Sequence, residues 1–369
     1  MQDVRQRPVA LWLFAVCFML WVMVVLGGTT RLTGSGLSIM EWAPLSGALP
    51  PLSHAEWERL FGLYKQIPQY RILHPDMDLA GFQGIFWLEW THRLWGRLMG
   101  VVFFVPMVWF AVTGRIGARL LKRLAVLFVL GGLQGAVGWF MVASGFMAGS
   151  ISVSAYRLVV HLALALTLYA AVLWTGLSVW RPEPVVSPRG VATRRLAACV
   201  AGLVGVTIVA GGFVAGTHAG LTYNTFPLMN GRLVPAGYAA LPFPRDWFEN
   251  VTAVQFDHRL LATLTALATV ALVGVGWRAG PARVRPVLVA LGGLVCVQYA
   301  LGVATLVWVV PVPLAAAHQA CAVLVLTASL VLVHALLGAG AVVTEGRGVG
   351  ARTRGFGAAP RVGGESALR

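Results

Sequence analysis

Four histidines stand inside long apolar stretches of this chain: His92, His161, His258 and His318. An ionisable side chain in such a stretch is costly, and in a membrane segment it usually serves a function or pairs with another. One alone is explained as readily by packing. Four, two in each half of the chain, point to ligation. Two imidazoles approaching from opposite sides suit the iron of a flat macrocycle, and facing helices of a bundle can supply them. Zinc takes three or four converging ligands, often including cysteine or carboxylate. Each half offers two histidines and no cysteine at the same depth, so one haem per pair fits the count. The remaining histidines are ordinary by comparison. His54, His74 and His218 fall in loops, as solvated side chains, and His334 lies roughly 24 Å beyond His318 on nearly the opposite helix face, an interfacial or packing position.

The elements that must carry these side chains are membrane helices. The chain has 369 residues, 58% hydrophobic and 11% charged, where a soluble domain has about 25% charged. The runs 9–30, 124–156, 158–180, 196–217 and 287–317 contain no Asp, Glu, Lys or Arg. About 20 such residues cross a bilayer as a helix. The fold class is therefore an all-α integral membrane protein with eight transmembrane helices, expected at 9–28, 91–113, 124–143, 156–180, 196–216, 257–277, 287–308 and 314–337. The first run is a retained span rather than a cleaved signal, because no small-residue cleavage site follows it. The four cysteines, Cys17, Cys199, Cys296 and Cys321, read as small core residues.

The net charge of +15 is carried by short connections between apolar runs, which excludes a nucleic-acid reading in favour of a lipid surface. Arg115, Arg119, Lys122 and Arg123 follow span 2, Arg189, Arg194 and Arg195 follow span 4, and Arg278, Arg283 and Arg285 follow span 6. Their bias places both termini in the cytoplasm, and the four histidines toward the outer leaflet of the membrane. Residues 344–369 read as a disordered basic tail.

The chain also repeats itself. Gly27-Gly28, Gly36-Leu37-Ser38, Pro44-Leu45 and Pro51 recur as Gly211-Gly212, Gly220-Leu221-Thr222, Pro227-Leu228 and Pro235. Glu89-Trp90-Thr91-His92-Arg93 matches Gln255-Phe256-Asp257-His258-Arg259, Gln134 to Gly138 matches Gln298 to Gly302, and His161 matches His318. Two pseudo-symmetric four-helix bundles follow, 1–180 and 196–343, joined by a linker at 181–195. The helices have small residues near the histidines, Gly96, Gly100, Gly131, Gly132, Gly135, Gly292 and Gly293, which would accommodate a large ring.

The two halves differ where chemistry would be decided. Glu89 lies three residues before His92, on the same helix face, and its counterpart is Gln255. A carboxylate beside one haem site can stabilise developing positive charge or move a proton, making Glu89 the candidate catalytic residue; the competing role is an ion pair with Arg93 or Arg97. Arg93 and Arg259, one residue past each histidine, are candidates for haem propionates, with snorkelling an equal alternative. Trp42, Trp57, Tyr64 and Trp87 either cap the sites or form an aromatic belt.

The segments 27–38, 89–93, 256–259 and His318-Gln319 resemble the haem A synthase family over roughly residues 9–337. The resemblance implies stepwise oxidation of the C8 methyl of haem O to a formyl group. It implies substrate haem O in the first half (His92, His161) and haem b for electron transfer in the second (His258, His318). The cysteine pair found in an external loop of some members is absent, so the likeness is to the proteobacterial and mitochondrial branch. Haem O synthase is an implied partner, with an unidentified electron donor. The alternatives are a non-enzymatic membrane b-type cytochrome, which would normally place haems near both membrane faces, and a haem-handling protein, which gives no reason for the Glu89/Gln255 difference.

Overall fold

The computed structural model describes residues 2–181 and 191–337; the rest of the expected linker at 182–190 and the tail at 344–369 lie outside the described residues. The described residues form an all-helical protein of α1 (Gln2–Leu32), α2 (His54–Tyr64), α3 (Pro68–Leu73), α4 (Leu79–Val112), α5 (Ala118–Ala143), α6 (Ala155–Trp180), α7 (Val191–Gly216), α8 (Asp246–Glu249), α9 (Val251–Ala279), α10 (Arg285–Val307) and α11 (Val312–Leu337). Eight of these, α1, α4, α5, α6, α7, α9, α10 and α11, are long and apolar enough to cross a membrane.

Most boundaries fall within a few residues of expectation, but α4 starts twelve residues before position 91. Asp78 caps it by accepting from the Gly81 amide at 2.8 Å. Its first turns are held by tertiary packing rather than by lipid. Phe82 stacks on Phe61 at 5.2 Å and Phe86 meets Trp57 at 4.8 Å. These rings join Leu60, Tyr64 and Ile67 in a small core outside the spanning bundle. Tyr64 donates to Gln69 at 3.2 Å, and Gln69 donates to the Gly34 carbonyl at 3.0 Å, which ties α2 and α3 to the end of α1. Of the four expected aromatic caps, Trp57 and Tyr64 belong to this satellite core, and the exposed Trp87 lies against Trp57.

Among the spanning helices, α1 packs on α4 and α6, and α5 on both α4 and α6; α7 packs on α9 and α11, and α10 on both α9 and α11. Each set of four closes on itself. The sets meet through α6 with α7 and α11, and α1 with α11. Trp21 donates to the Ala320 carbonyl at 3.0 Å, Gln319 to the Val24 carbonyl at 2.9 Å, and Tyr169 shares a 2.6 Å hydrogen bond with Thr327. His334 is buried against Trp174, 3.1 Å from the Ser178 hydroxyl, which makes it the packing residue expected.

The large core is continuous across both sets, and it occupies the end of the bundle away from the long loops. Leu13, Phe103, Leu124 and Leu173 share it with Val200, Leu272, Leu291 and Leu332. The histidines lie nearer the loop-bearing end, where α6, α9 and α11 begin, above this floor. Two of the four cysteines depart from the expectation of core positions: Cys17 and Cys321 are buried, whereas Cys199 and Cys296 are exposed on outward helix faces.

Candidate functional site

His161, His258 and His318 are the seventh, eighth and seventh residues of α6, α9 and α11. His92 is the fourteenth of α4, because that helix begins beyond the membrane. All four are half-buried. His92 and His161 lie close enough to interact electrostatically, as do His258 and His318, so the two pairs inferred from the repeat are brought together.

Each imidazole leans on a glycine of a neighbouring helix. A Cβ on Gly27 of α1 would stand 3.1 Å from His92, one on Gly138 of α5 2.8 Å from His161, one on Gly211 of α7 3.0 Å from His258, and one on Gly302 of α10 2.9 Å from His318. These are repeat-equivalent positions. The second glycine of each Gly-Gly pair faces the other half: Gly28 meets Gln319, next to His318, and Gly212 meets Leu162, next to His161. The glycines expected from the sequence to leave room for a large ring are a separate set. Gly100, Gly131, Gly132, Gly135 and Gly293 have nothing within 4 Å of an added Cβ. The repeat match of Gly138 with Gly302 was the available signal.

Glu89 is 2% exposed and both oxygens are saturated. Oε2 accepts from the Ser38 amide at 2.8 Å, the Ser38 hydroxyl at 2.7 Å and the Ile39 amide at 3.0 Å. Oε1 accepts from Arg93 Nη2 at 2.6 Å and Nε at 3.1 Å. Arg93 also donates to the carbonyls of Ile39 and Glu41 at 2.8 and 2.7 Å, so that all three of its nitrogens are engaged. Glu41, in the same loop, is bridged by Arg59 at 2.9 Å, and that hydrogen bond holds its carboxyl below the ordinary range. The ion pair set against a catalytic role at the outset is present, and it clamps loop 38–41 to the helix that carries His92.

The second half reproduces this clamp without the negative charge. Gln255 donates to the carbonyls of Ala219 at 2.8 Å and Thr222 at 2.5 Å. Its Oε1 accepts from Arg259 at 3.2 Å, and Arg259 also reaches the carbonyls of Thr225 and Tyr223 at 2.8 and 2.5 Å. Arg259 keeps a buried Nε with no partner.

Further asymmetries lie one turn away. At the position matching Gly135 stands Tyr299, whose hydroxyl lies 3.0 Å from Thr263 and whose ring meets Phe226 at 6.2 Å. At the position matching Thr263 stands Arg97, which turns away to the carbonyls of Pro44 and Ala43, both at 2.9 Å, and leaves a buried Nη1 without a partner. Trp42, the fourth expected cap, stacks on Trp139 at 6.3 Å, beside Gly138, with Arg93 over the same ring at 5.5 Å.

The residues present fit a macrocyclic iron. Nδ1 of His161, His258 and His318 is buried without a hydrogen-bond partner, and donors on Arg97 and Arg259, carried by the same helices as His92 and His258, are likewise unpartnered. No group of three or more His, Cys, Asp or Glu suited to a metal ion occurs among the described residues.

Comparison with known proteins gives the family. The cytochrome oxidase assembly protein family matches residues 10–330. The haem A synthase of Granulibacter bethesdensis is 61% identical over 332 residues, covering 90% of this chain and 88% of that protein. The chain belongs to this family. Haem A synthase 2 of Acidiphilium cryptum is 50% identical over 88% of this chain and 90% of its own length, and the haem A synthase of Rhodospirillum centenum 49% over 88% and 87%.

Proposed function

We propose that this family member, an oxidoreductase of haem A biosynthesis, converts the C8 methyl of haem O to a formyl group by stepwise hydroxylation in its first half, with a haem b in its second. The observation that carries the division is the charge at repeat-equivalent positions: Glu89 with Arg93 in one half, Gln255 with Arg259 in the other. His92 and His161 hold the iron of the substrate. His258 and His318 hold haem b, which supplies one-electron transfer when bound.

Glu89 acts in place. A carboxylate that accepts five hydrogen bonds has no lone pair turned to a substrate proton, so its contribution is a fixed negative charge and a rigid loop rather than proton transfer. Arg259 is the better propionate partner of the two arginines, because Arg93 is neutralised by Glu89 while Arg259 faces only neutral acceptors. Room beside Gly135, where the second half has Tyr299, suits the isoprenoid tail by which haem O differs from haem b. Both termini lie in the cytoplasm of a bacterial cell, the halves 1–180 and 196–343 are related by the repeat, and both sites open toward the outer leaflet. Haem O synthase is the natural supplier of substrate.

The test is to purify the protein in mild detergent, extract its haems with acid and identify them by mass. Haem b with haem O, a hydroxylated haem or haem A is expected from wild type. His258→Ala and His318→Ala should lose haem b, whereas His92→Ala and His161→Ala should keep it and lose conversion. A folded preparation from haem-replete cells with no haem would overturn the reading, and haem b lost only from the first-half variants would reverse the assignment.

A further inference from the structure

We propose that residues 43–52, in the connection between α1 and α2, are seated in the outer edge of the bilayer's hydrocarbon at the loop-bearing end of the bundle, with Arg97 as their anchor. The inference stands apart from what the histidines bind. The stretch from Ala43 to Leu52 contains no charged residue. Leu45, Leu49 and Leu52 are 88%, 72% and 83% exposed. Three large aliphatic side chains left open on one short segment make a patch of the kind that meets a membrane or another protein.

Depth along α4 decides for lipid. Arg97 donates through Nε to the Pro44 carbonyl and through Nη2 to the Ala43 carbonyl, both at 2.9 Å. A Cβ on Gly47 would stand 2.9 Å from the same Nη2, so the segment lies directly on this side chain. Arg97 is further into the span than His92, and Val112 ends the helix. From Val112 back to Arg97 the helix rises about 22 Å, short of the roughly 30 Å of a hydrocarbon core, and tilt deepens the position. The side chain leans back toward the helix N-terminus, as helical side chains do, which brings the carbonyls it holds to the upper edge of that core. Trp42, just before the segment, stacks on Trp139 of α5, beside the Gly138 that touches His161.

Irregular backbone is tolerated at such a depth when its polar groups are satisfied within the protein. Pro44, Pro50 and Pro51 bring no amide hydrogen. The amides of Gly47, Ala48 and Leu49 donate to the carbonyls of Ala43, Leu45 and Ser46 at 3.0, 3.1 and 3.3 Å. Arg97 takes up the carbonyl of Pro44 and shares that of Ala43.

The second half is built otherwise. Thr263 stands at the position of Arg97 and donates to the Arg259 carbonyl of its own helix at 2.9 Å. The loop there is held through Gln255 and Arg259, one turn or more nearer the outside. It also carries an exposed arginine, Arg232, next to Leu233. Leu233 precedes Pro235 as Leu49 precedes Pro51, and it is 77% exposed. Of these two repeat-related leucines, Leu49 therefore lies in lipid and Leu233 in water.

The test is site-directed spin labelling of the full chain in vesicles of phosphatidylcholine and phosphatidylglycerol. The exposed Cys199 and Cys296 are changed to alanine, and a nitroxide is attached in the single variants Leu45→Cys, Leu49→Cys and Leu233→Cys. Collisions are measured with oxygen, which concentrates in hydrocarbon, and with a water-soluble nickel chelate. Labels at positions 45 and 49 should favour oxygen and the label at 233 nickel, the ratios differing by a factor of several. Arg97→Gln, or Gly47→Ala, which crowds Nη2, should shift the label at 45 toward nickel by a similar factor. Should one of these two not accumulate, the other decides, and an unchanged ratio in the recovered protein overturns the anchoring by Arg97. Nickel access at 45 and 49 equal to that at 233 overturns the seat in lipid. Labels at 45 and 49 shielded from both probes overturn it as well, because protein then covers the patch.

Discussion

Arg93 and Glu89, one helical turn apart on α4, form a 2.6 Å ion pair in which the side chains are 16% and 3% exposed. Removing one member of a buried pair strands the other, which costs about 3 kcal/mol or more. Glu89→Gln adds a second conflict, because an amide nitrogen would face the amides of Ser38 and Ile39. The expected outcome is a loss of about 3 kcal/mol in unfolding experiments and loss of haem O conversion, with haem b content retained. Conversion at the wild-type rate would remove any role for the charge.

Gln255→Glu tests the clamp in reverse. The new carboxylate gains Arg259 but turns an acceptor toward the carbonyls of Ala219 and Thr222, which now receive the Gln255 amide. Two acceptors left facing an acceptor cost about 1–3 kcal/mol. Limited proteolysis should therefore cut the 217–250 segment faster than in wild type, and haem b content should fall.

Gly135→Tyr copies the second half into the first. An added Cβ at Gly135 meets nothing within 4 Å, so the helix tolerates the change, while the ring occupies the position that Tyr299 fills in the other half. Haem O binding should weaken about tenfold, equivalent to 1.4 kcal/mol, with haem b unaffected. The ratio of extracted haem O to haem b measures this directly.

Asp246, outside the spanning helices, accepts from Asn250 and from the amides of Leu241 and Ala239 at 2.8, 2.8 and 3.1 Å. The Asn250 hydrogen bond, followed by that of Leu241, holds its carboxyl below its ordinary value of 3.8. A depressed folded-state pKa means the stabilisation is present above pH 3.8 and is lost as pH falls through the lower folded value. The protection factor of the Leu241 amide, its exchange rate relative to that of an unstructured amide at the same pH, should fall in that acid window and stay flat above it. Asp246→Asn should abolish the pH dependence of that protection factor.

The span count and the histidine pairs were legible because each depends on local chemistry. Uncharged runs of membrane length can only be helices in lipid, and an imidazole inside one is conspicuous. The start of α4 was not legible. Glu89, His92 and Arg93 interrupt the apolar run, yet the helix continues outward through residues 79–88 because Phe82 and Phe86 find Phe61 and Trp57 from a separate segment. The exposure of Cys199 and Cys296 was hidden for a related reason: in lipid an apolar helix face need not turn inward.

By itself the sequence determined eight spanning helices, the internal repeat, the four ligand candidates and the residue pair Glu89/Gln255 that distinguishes the halves. Periodicity, charge and repetition are properties of residues in order, so order suffices to read them. Only the tertiary structure decided that Glu89 is bound on both oxygens, that Arg93 is paired with its charge while Arg259 keeps an unpartnered Nε, and which glycines lie beside which rings. Those facts join residues on different helices and loops. They depend on how far one helix stands from the next and on which face each turns, and neither is written in the local pattern of either segment.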